Sequence, residues 1–306
     1  MNAREWALPV YTILMQLAIG GLLTIEGLRW VLGRRFGWGV LDQTIRTPLL
    51  VIVLTAVLAM IAAHFHLSKP LLSYLAVVRF ETSWLSREIV FSILFVGASA
   101  VLLGLTVFRG AWRRWITGTG WMAVLIGLVL VYSMAQIYVL PTQTVWNSNT
   151  VILSFYLTSV MLGVNAVICV TLLDLRFVEI QGKAETETRA QVVRGILLVL
   201  TIVTVLLALV SIVLNFVQIH QLSQGDRIAQ TSLRLLLEVY LPLLILRHAT
   251  LIVGVLILVS AAVRVYRRRA AVQNLLVTVY ISCLLVIISE ILGRFLFYAT
   301  HIRVGL

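Results

Sequence analysis

The sequence predicts an all-α integral membrane protein: one membrane domain over residues 1–306, a bundle of eight transmembrane helices with both termini on the periplasmic or external side. Three observations predict it. Of 306 residues, 61% are apolar and 12% are charged, against about 45–50% and about 25% in soluble domains, and mean hydropathy is +1.04. Eight apolar runs reach the roughly 20 residues needed to cross a hydrocarbon core. The Arg and Lys residues between them are shared unequally, which orients the bundle.

The runs are 8–30, 48–65, 87–108, 117–140, 151–173, 192–219, 241–263 and 272–298. The first follows MNAREW and contains no small-residue cleavage site, so it reads as a retained span rather than a signal peptide. It carries Gln16 and, near its inner end, Glu26, a residue placed to snorkel towards water. The second run ends in His64-Phe65-His66, and the third begins with Arg87 and Glu88. The fourth has no ionisable residue except tyrosine. The fifth and sixth carry Asn165 and Asn215, which with Gln16 read as interhelical hydrogen-bonding groups. The seventh has Arg247 and His248 near its start, and the eighth contains Glu290 and Arg294. No segment between runs is long enough for a soluble domain, and no internal repeat is evident.

With the N-terminus outside, fifteen Arg and Lys residues fall on inner loops, including Arg34, Arg35, Arg113, Arg114, Arg176, Lys183 and Arg267–Arg269. Eight fall on outer segments, among them Lys69, Arg79, Arg87, Arg227 and Arg234. The positive-inside rule favours that orientation. The net charge of +12 then belongs to loops facing anionic lipid headgroups, and nucleic acid is not an expected partner. Cys169 and Cys283 both lie in apolar runs. They read as free buried thiols, too few for an iron–sulfur cluster. All five histidines, His64, His66, His220, His248 and His301, fall near the outer face. Two outer loops also have helical apolar spacing: Tyr74, Val77, Val78, Glu81 and Trp84, and Ile228, Leu235, Leu236 and Val239. Short interfacial helices touching lipid or an external subunit fit both.

Ionisable groups inside a span cost about 2.5–3.5 kcal/mol each on insertion scales, so each needs a reason. Glu290 and Arg294 are four apart, in the order that favours an ion pair on one helix face. Tyr298 and His301 continue that face. Fixing helix packing is one reading, and a polar wall or proton path beneath the outer interface is the other. His66 ends one span and Glu88 begins the next, so both sit at the outer edge of the hydrocarbon. A membrane-soluble quinol presents its hydroxyls there, and its oxidation releases two protons and two electrons. A phenol-like hydroxyl titrates near 10, so each proton needs a positioned acceptor, and neutral His and carboxylate are the usual ones. Lys69, Arg79 and Arg87 are the cations beside this pair.

The stretch HLSKPLLSYLAVVRFETSWLSREI resembles the H-L-G-x-P…L-S-N-E-I segment of the anchor subunit of dimethyl sulfoxide reductase. The ending EILGRFLFYATHIRVGL is similar to that family's E-L-I-G-R-x-x-F-Y-x-x-H. The eight-span layout with external termini fits as well. The resemblance implies an inner-membrane anchor that oxidises menaquinol near the periplasmic face. It implies two partners, a four-cluster iron–sulfur subunit and a molybdopterin catalytic subunit, while the lack of a mid-membrane His pair and of clustered Cys predicts no haem or metal in this chain. It assigns the quinol-site histidine and glutamate to His66 and Glu88. Ser68, Lys69 and Arg87 depart from the family pattern, and the added charges bear on quinone preference or partner contact.

Three other readings are open at this point. An anchor run in reverse would reduce quinone for a molybdopterin dehydrogenase. A haem-b cytochrome would need two facing histidines per haem, and none is at mid-membrane. A transporter would show broken helices, repeat symmetry and a mid-membrane charged site, for which only Glu290 and Arg294 are candidates.

Overall fold

A computed structural model describes residues 3–66, 78–108, 112–140, 143, 145–181, 186–268 and 275–302. Those residues form nine α-helices and no strand: α1 (Ala3–Phe36), α2 (Trp38–His66), α3 (Trp84–Phe108), α4 (Arg113–Gln136), α5 (Asn149–Ile180), α6 (Thr186–Gln224), α7 (Arg227–Arg234), α8 (Leu241–Arg268) and α9 (Leu276–Ala299). All except α7 are long and apolar enough to cross a membrane.

The helices outrun the apolar stretches that predict them. α2 begins ten residues before the second run, straight after α1. Gly37, at φ +84°, supplies the left-handed residue that ends α1 and reverses the chain. α6 has 39 residues, about 58 Å at 1.5 Å per residue, so it emerges from a core about 30 Å thick on both sides. Loss of hydrophobicity marks where the hydrocarbon stops, not where backbone hydrogen bonding stops. α4, by contrast, lies about four residues earlier than its run, leaving Tyr138 in the loop beyond it.

α1 and α5 form the centre of the bundle. α1 packs most extensively on α2 and α5, α3 on α4, α5 on α6, and α9 on α8 and α5. Gly20 and Gly163 let α1 and α5 meet backbone to backbone: a Cβ on either would collide with main-chain atoms of the other helix. Small residues at such crossings permit the close van der Waals contact that holds membrane helices together.

The two ends of the bundle differ. At one, the Arg29 end, Glu26 and Arg29 are both buried and bonded at 2.5 Å. Arg29 also donates to Asp42 on α2 (2.9 Å) and Thr106 on α3 (3.1 Å). The expected snorkelling of Glu26 is therefore replaced by a closed interhelical network, and Gly120 on α4 leaves room for its carboxylate. Asp174 on α5 similarly joins Thr47 on α2 (2.5 Å) to Arg189 on α6 (3.4 Å). The other, the Tyr11 end, holds the starts of α1, α3, α5 and α8 and the ends of α2, α4, α6 and α9.

The interfacial helix expected after the sixth span is α7, continued by a π-helical turn over Leu235–Val239. It turns Leu236 inward and leaves Val239 exposed. In the other loop Tyr74 and Val77 lie outside the described residues, and Val78–Glu81 form an exposed turn before α3.

Candidate functional site

α3 lies mostly outside the buried core, with one buried stripe along it: Glu88, Ser92, Phe95, Ser99 and Leu102. The 4-3-4-3 spacing is a single helical face, and Glu88 is its outermost member. Tyr11 on α1 faces it. The Tyr11 hydroxyl lies 2.9 Å from Ser92 Oγ and within hydrogen-bonding reach of the Glu88 carboxylate. Ser92 spends its own proton on the Glu88 carbonyl (2.7 Å), so the Tyr11 proton is available to Ser92 Oγ or to the carboxylate.

α2 ends at His66, at this same end of the bundle. The His66 ring and all of Lys69 lie outside the described residues, so the His66–Glu88 pairing rests on the sequence. Arg79 is exposed on the turn before α3. Arg87 braces that turn, donating to the carbonyls of Phe80 (3.0 Å) and Glu81 (2.7 Å) with its guanidinium 4.1 Å from the Trp84 ring centroid.

The α9 residues do not arrange themselves as expected. Glu290 and Arg294 are both buried but make no ion pair with each other among the described contacts. Arg294 turns towards α1 and α5, donating to Gln16 Oε1 at 2.7 Å and lying 3.9 Å from the Phe155 ring centroid. Glu290 turns the other way and accepts from Thr158 on α5 at 2.7 Å. Sharing a helix face allows the pair; the polar atoms and the ring offered by neighbouring helices draw its members apart. Gln16 also donates to the Phe155 carbonyl at 3.1 Å, so it is the interhelical group expected. Asn165 is not, since it donates to Met161 on its own helix.

Tyr298 and His301 enter an aromatic cluster centred on Tyr138. The Tyr298 and Tyr138 hydroxyls are 2.7 Å apart, and Tyr138 also meets Trp146, Phe155 and Phe297 with ring centroids 5.2–5.7 Å away. The His301 ring stacks on Trp146 at 3.8 Å. Burial first, then the Tyr298 hydroxyl and the Glu88 carboxylate, push the Tyr138 phenol well above its ordinary range, with Arg294 opposing. Tyr138 therefore keeps its proton near neutrality and can donate, but not act as a base.

Glu88 on α3 and the group on α9, read separately from the sequence, are thus neighbours. α1 joins them, with Tyr11 on Glu88 and Gln16, a turn and a half later, on Arg294. This whole-chain arrangement has a counterpart among known proteins. A family model described as DMSO reductase anchor subunit (DmsC) matches residues 1–300. The chain belongs to that family. A curated relative, anaerobic dimethyl sulfoxide reductase chain YnfH of Escherichia coli (strain K12), is 25% identical over 304 residues, covering 99% of this chain and 96% of its own length. Family membership makes this a multi-pass membrane anchor that partners catalytic reductase subunits.

For this anchor subunit, sequence reasoning missed Tyr11 and Tyr138. A tyrosine near a span end reads as part of the ordinary interfacial belt. The usable signal for Tyr11 was its register with Met15, Ala18 and Leu22 on the buried face of α1.

Proposed function

We propose that this anchor oxidises menaquinol at the Tyr11 end and passes the electrons to a four-cluster iron–sulfur subunit, which feeds a molybdopterin catalytic subunit. The observation that carries this reading is the buried carboxylate of Glu88, set beside the Tyr11 hydroxyl with no cation paired to it among the described contacts. Quinol oxidation releases two protons and two electrons. The electrons leave to the partner's cluster. Glu88 takes one proton, with the Tyr11 hydroxyl orienting the carboxylate and repositioning its own proton as the charge changes. His66, at the end of α2, takes the other. Lys69 and Arg79 fall between α2 and α3 in the chain and Arg87 in the first turn of α3, where they bear on quinol approach and partner contact. Glu290, Arg294, Tyr298 and His301, with Tyr138, form the wall behind the site.

In Glu88→Gln and His66→Ala, quinol-analogue oxidation should fall about 10²–10⁴-fold, the value of a positioned base, while the complex stays assembled. Glu88→Gln keeps shape and hydrogen bonding, so analogue binding should survive; His66→Ala should weaken it. Delivery from an artificial soluble donor should stay normal in both. Unchanged quinol turnover in both would put the site elsewhere.

We place the Tyr11 end and both termini on the periplasmic side of an inner membrane, from the Arg and Lys count. Cysteines introduced beside Arg34, Arg113 or Arg268 should then resist a membrane-impermeant reagent added to intact cells; labelling there would invert the bundle. We also assign no haem or metal to this chain, so its reduced-minus-oxidised spectrum should show no stoichiometric Soret band.

A further inference from the structure

On the far side of α9 from Glu88 lies a cavity of ≈ 370 Å³, walled by α5, α6, α8 and α9 and covered by the α6–α7 connection and α7. Its polar side includes donors with no hydrogen bond to another described residue. The Arg247 guanidinium lines it and makes no hydrogen bond or ion pair with a described residue. Asn215 on α6 also lines it with no described hydrogen-bond partner. Gln221 accepts through its amide oxygen from Ser148 (3.0 Å) and Thr150 (3.1 Å), and its NH₂ has no described hydrogen-bond partner. Two guanidiniums, Arg247 and Arg294, line the cavity, and the Glu290 carboxylate lies behind its wall within electrostatic reach of Arg247. The local balance is one positive charge in excess. The other side of the cavity is apolar, made by Leu236, Leu296 and Phe297.

We propose that this cavity is a binding site for the phosphate headgroup of an anionic phospholipid, held by Arg247 with the Asn215 and Gln221 amides. Three features select a lipid. The cavity lies beneath α7, among the ends of α6 and α9 and the starts of α5 and α8. Its donors are grouped on one wall as a phosphate requires. Its apolar wall suits the glycerol and first acyl carbons, which a free anion or an acidic side chain would leave in contact with nothing. Basic pockets between membrane helices are a known mode of headgroup capture, and the volume is in the ordinary range of small-ligand sites. Such a lipid would fill the seam between α6 and α8–α9 and give the Arg247 guanidinium a direct hydrogen-bonding anion.

The test uses the anchor with its reductase partners, purified in a mild neutral detergent. Retained phosphatidylglycerol is counted by mass spectrometry after exhaustive washing. Thermal unfolding is then followed with added phosphatidylglycerol vesicles, phosphatidylcholine vesicles or inorganic phosphate. We expect selective retention of phosphatidylglycerol, a higher Tm with it than with phosphatidylcholine, and no shift from inorganic phosphate. Arg247→Gln should lower retention at least about tenfold, the loss of one charge-assisted hydrogen bond. Asn215→Leu, which keeps the cation and fills the space, should do the same and serves if Arg247→Gln fails to fold. The proposal is overturned if retention is unchanged in the variants or if the two lipids are retained equally. It is likewise overturned if inorganic phosphate reproduces the stabilisation, marking a free-anion site, or if Arg247→Gln sheds the partner subunits while keeping the lipid, marking a docking surface.

Discussion

The two ends of the bundle treat buried charge in opposite ways. At the Arg29 end, charge is matched to charge: Glu26 and Asp42 flank Arg29, and Asp174 meets Arg189. At the Tyr11 end the buried ionisable groups are held by neutral partners. Glu88 lies beside Tyr11, Glu290 accepts from Thr158, Arg294 has Gln16 and a ring face, and Arg247, with Glu290 only within electrostatic reach, faces a cavity. A charge in a low-dielectric interior without an opposite charge is expensive. A network of complementary charges is compatible with a purely architectural role. Carboxylates and guanidiniums left with hydroxyls, amides and empty space are what a site needs when it must change protonation or receive a ligand.

The largest effects should separate the two carboxylates that look most alike in the sequence. Glu88→Gln should cut quinol turnover by the two to four orders of magnitude argued above, with little loss of folded protein. Its glutamine can still accept from Tyr11. Glu26→Gln should leave turnover per folded molecule near that of the wild type but reduce stability, because Arg29 loses its shortest partner. If Glu26→Gln abolished turnover while Glu88→Gln spared it, the assignment of chemistry to the Tyr11 end would be reversed.

The next effect in size is Arg29→Gln. Removing one member of a buried charge group strands the others, a loss of about 3–5 kcal/mol. Here two carboxylates would be stranded, and α1, α2 and α3 would lose their common tie. The measurement is the yield and unfolding midpoint of the purified anchor. A variant as stable as the wild type would mean that the network is solvated and that the contrast between the ends is weaker than drawn.

How far the sequence could reach differed between fold and site. Eight spans were legible because hydrocarbon thickness imposes a length that composition reports directly. Their ends were not: Arg34, Arg35 and Arg46 mark the edge of the hydrocarbon, yet the α-helices run past it. Glu88 was legible because a carboxylate at a span end is conspicuous and because the flanking segment resembles a known family. Arg294 was legible as an unusual residue but not in its contacts. Its partners, Gln16 and Phe155, are 278 and 139 positions away, and helical spacing sees only Glu290. The cavity at Arg247 takes residues from four spans, so no local pattern could announce it. Tyr11 and Tyr138 were hidden for another reason: tyrosine at a membrane interface is too common to single out.

The smallest expected effect lies on the boundary between architecture and chemistry, at the Tyr138–Tyr298 hydroxyl pair. Tyr298→Phe leaves the ring stack but deprives the buried Tyr138 hydroxyl of its partner, a loss of about 1–3 kcal/mol for an unsatisfied buried group. Tyr138→Phe should cost less, because Tyr298 is only half-buried and water can replace the bond. The double variant removes both polar atoms together, so it should be more stable than the sum of the single losses predicts. The phenol of Tyr138 is pushed above its ordinary range, so it stays protonated throughout the interval from about pH 6 to 9, well below where a tyrosine normally ionises. If the pair only shapes the wall, turnover in all three variants should change by less than about threefold, far below the effect of losing a positioned base, and the pH–rate profile should keep its form over that interval. A fall in turnover of tenfold or more with normal stability would instead bring the Tyr138 hydroxyl into contact with the reacting quinol, and would extend the chemistry from the start of α3 across the bundle to α9.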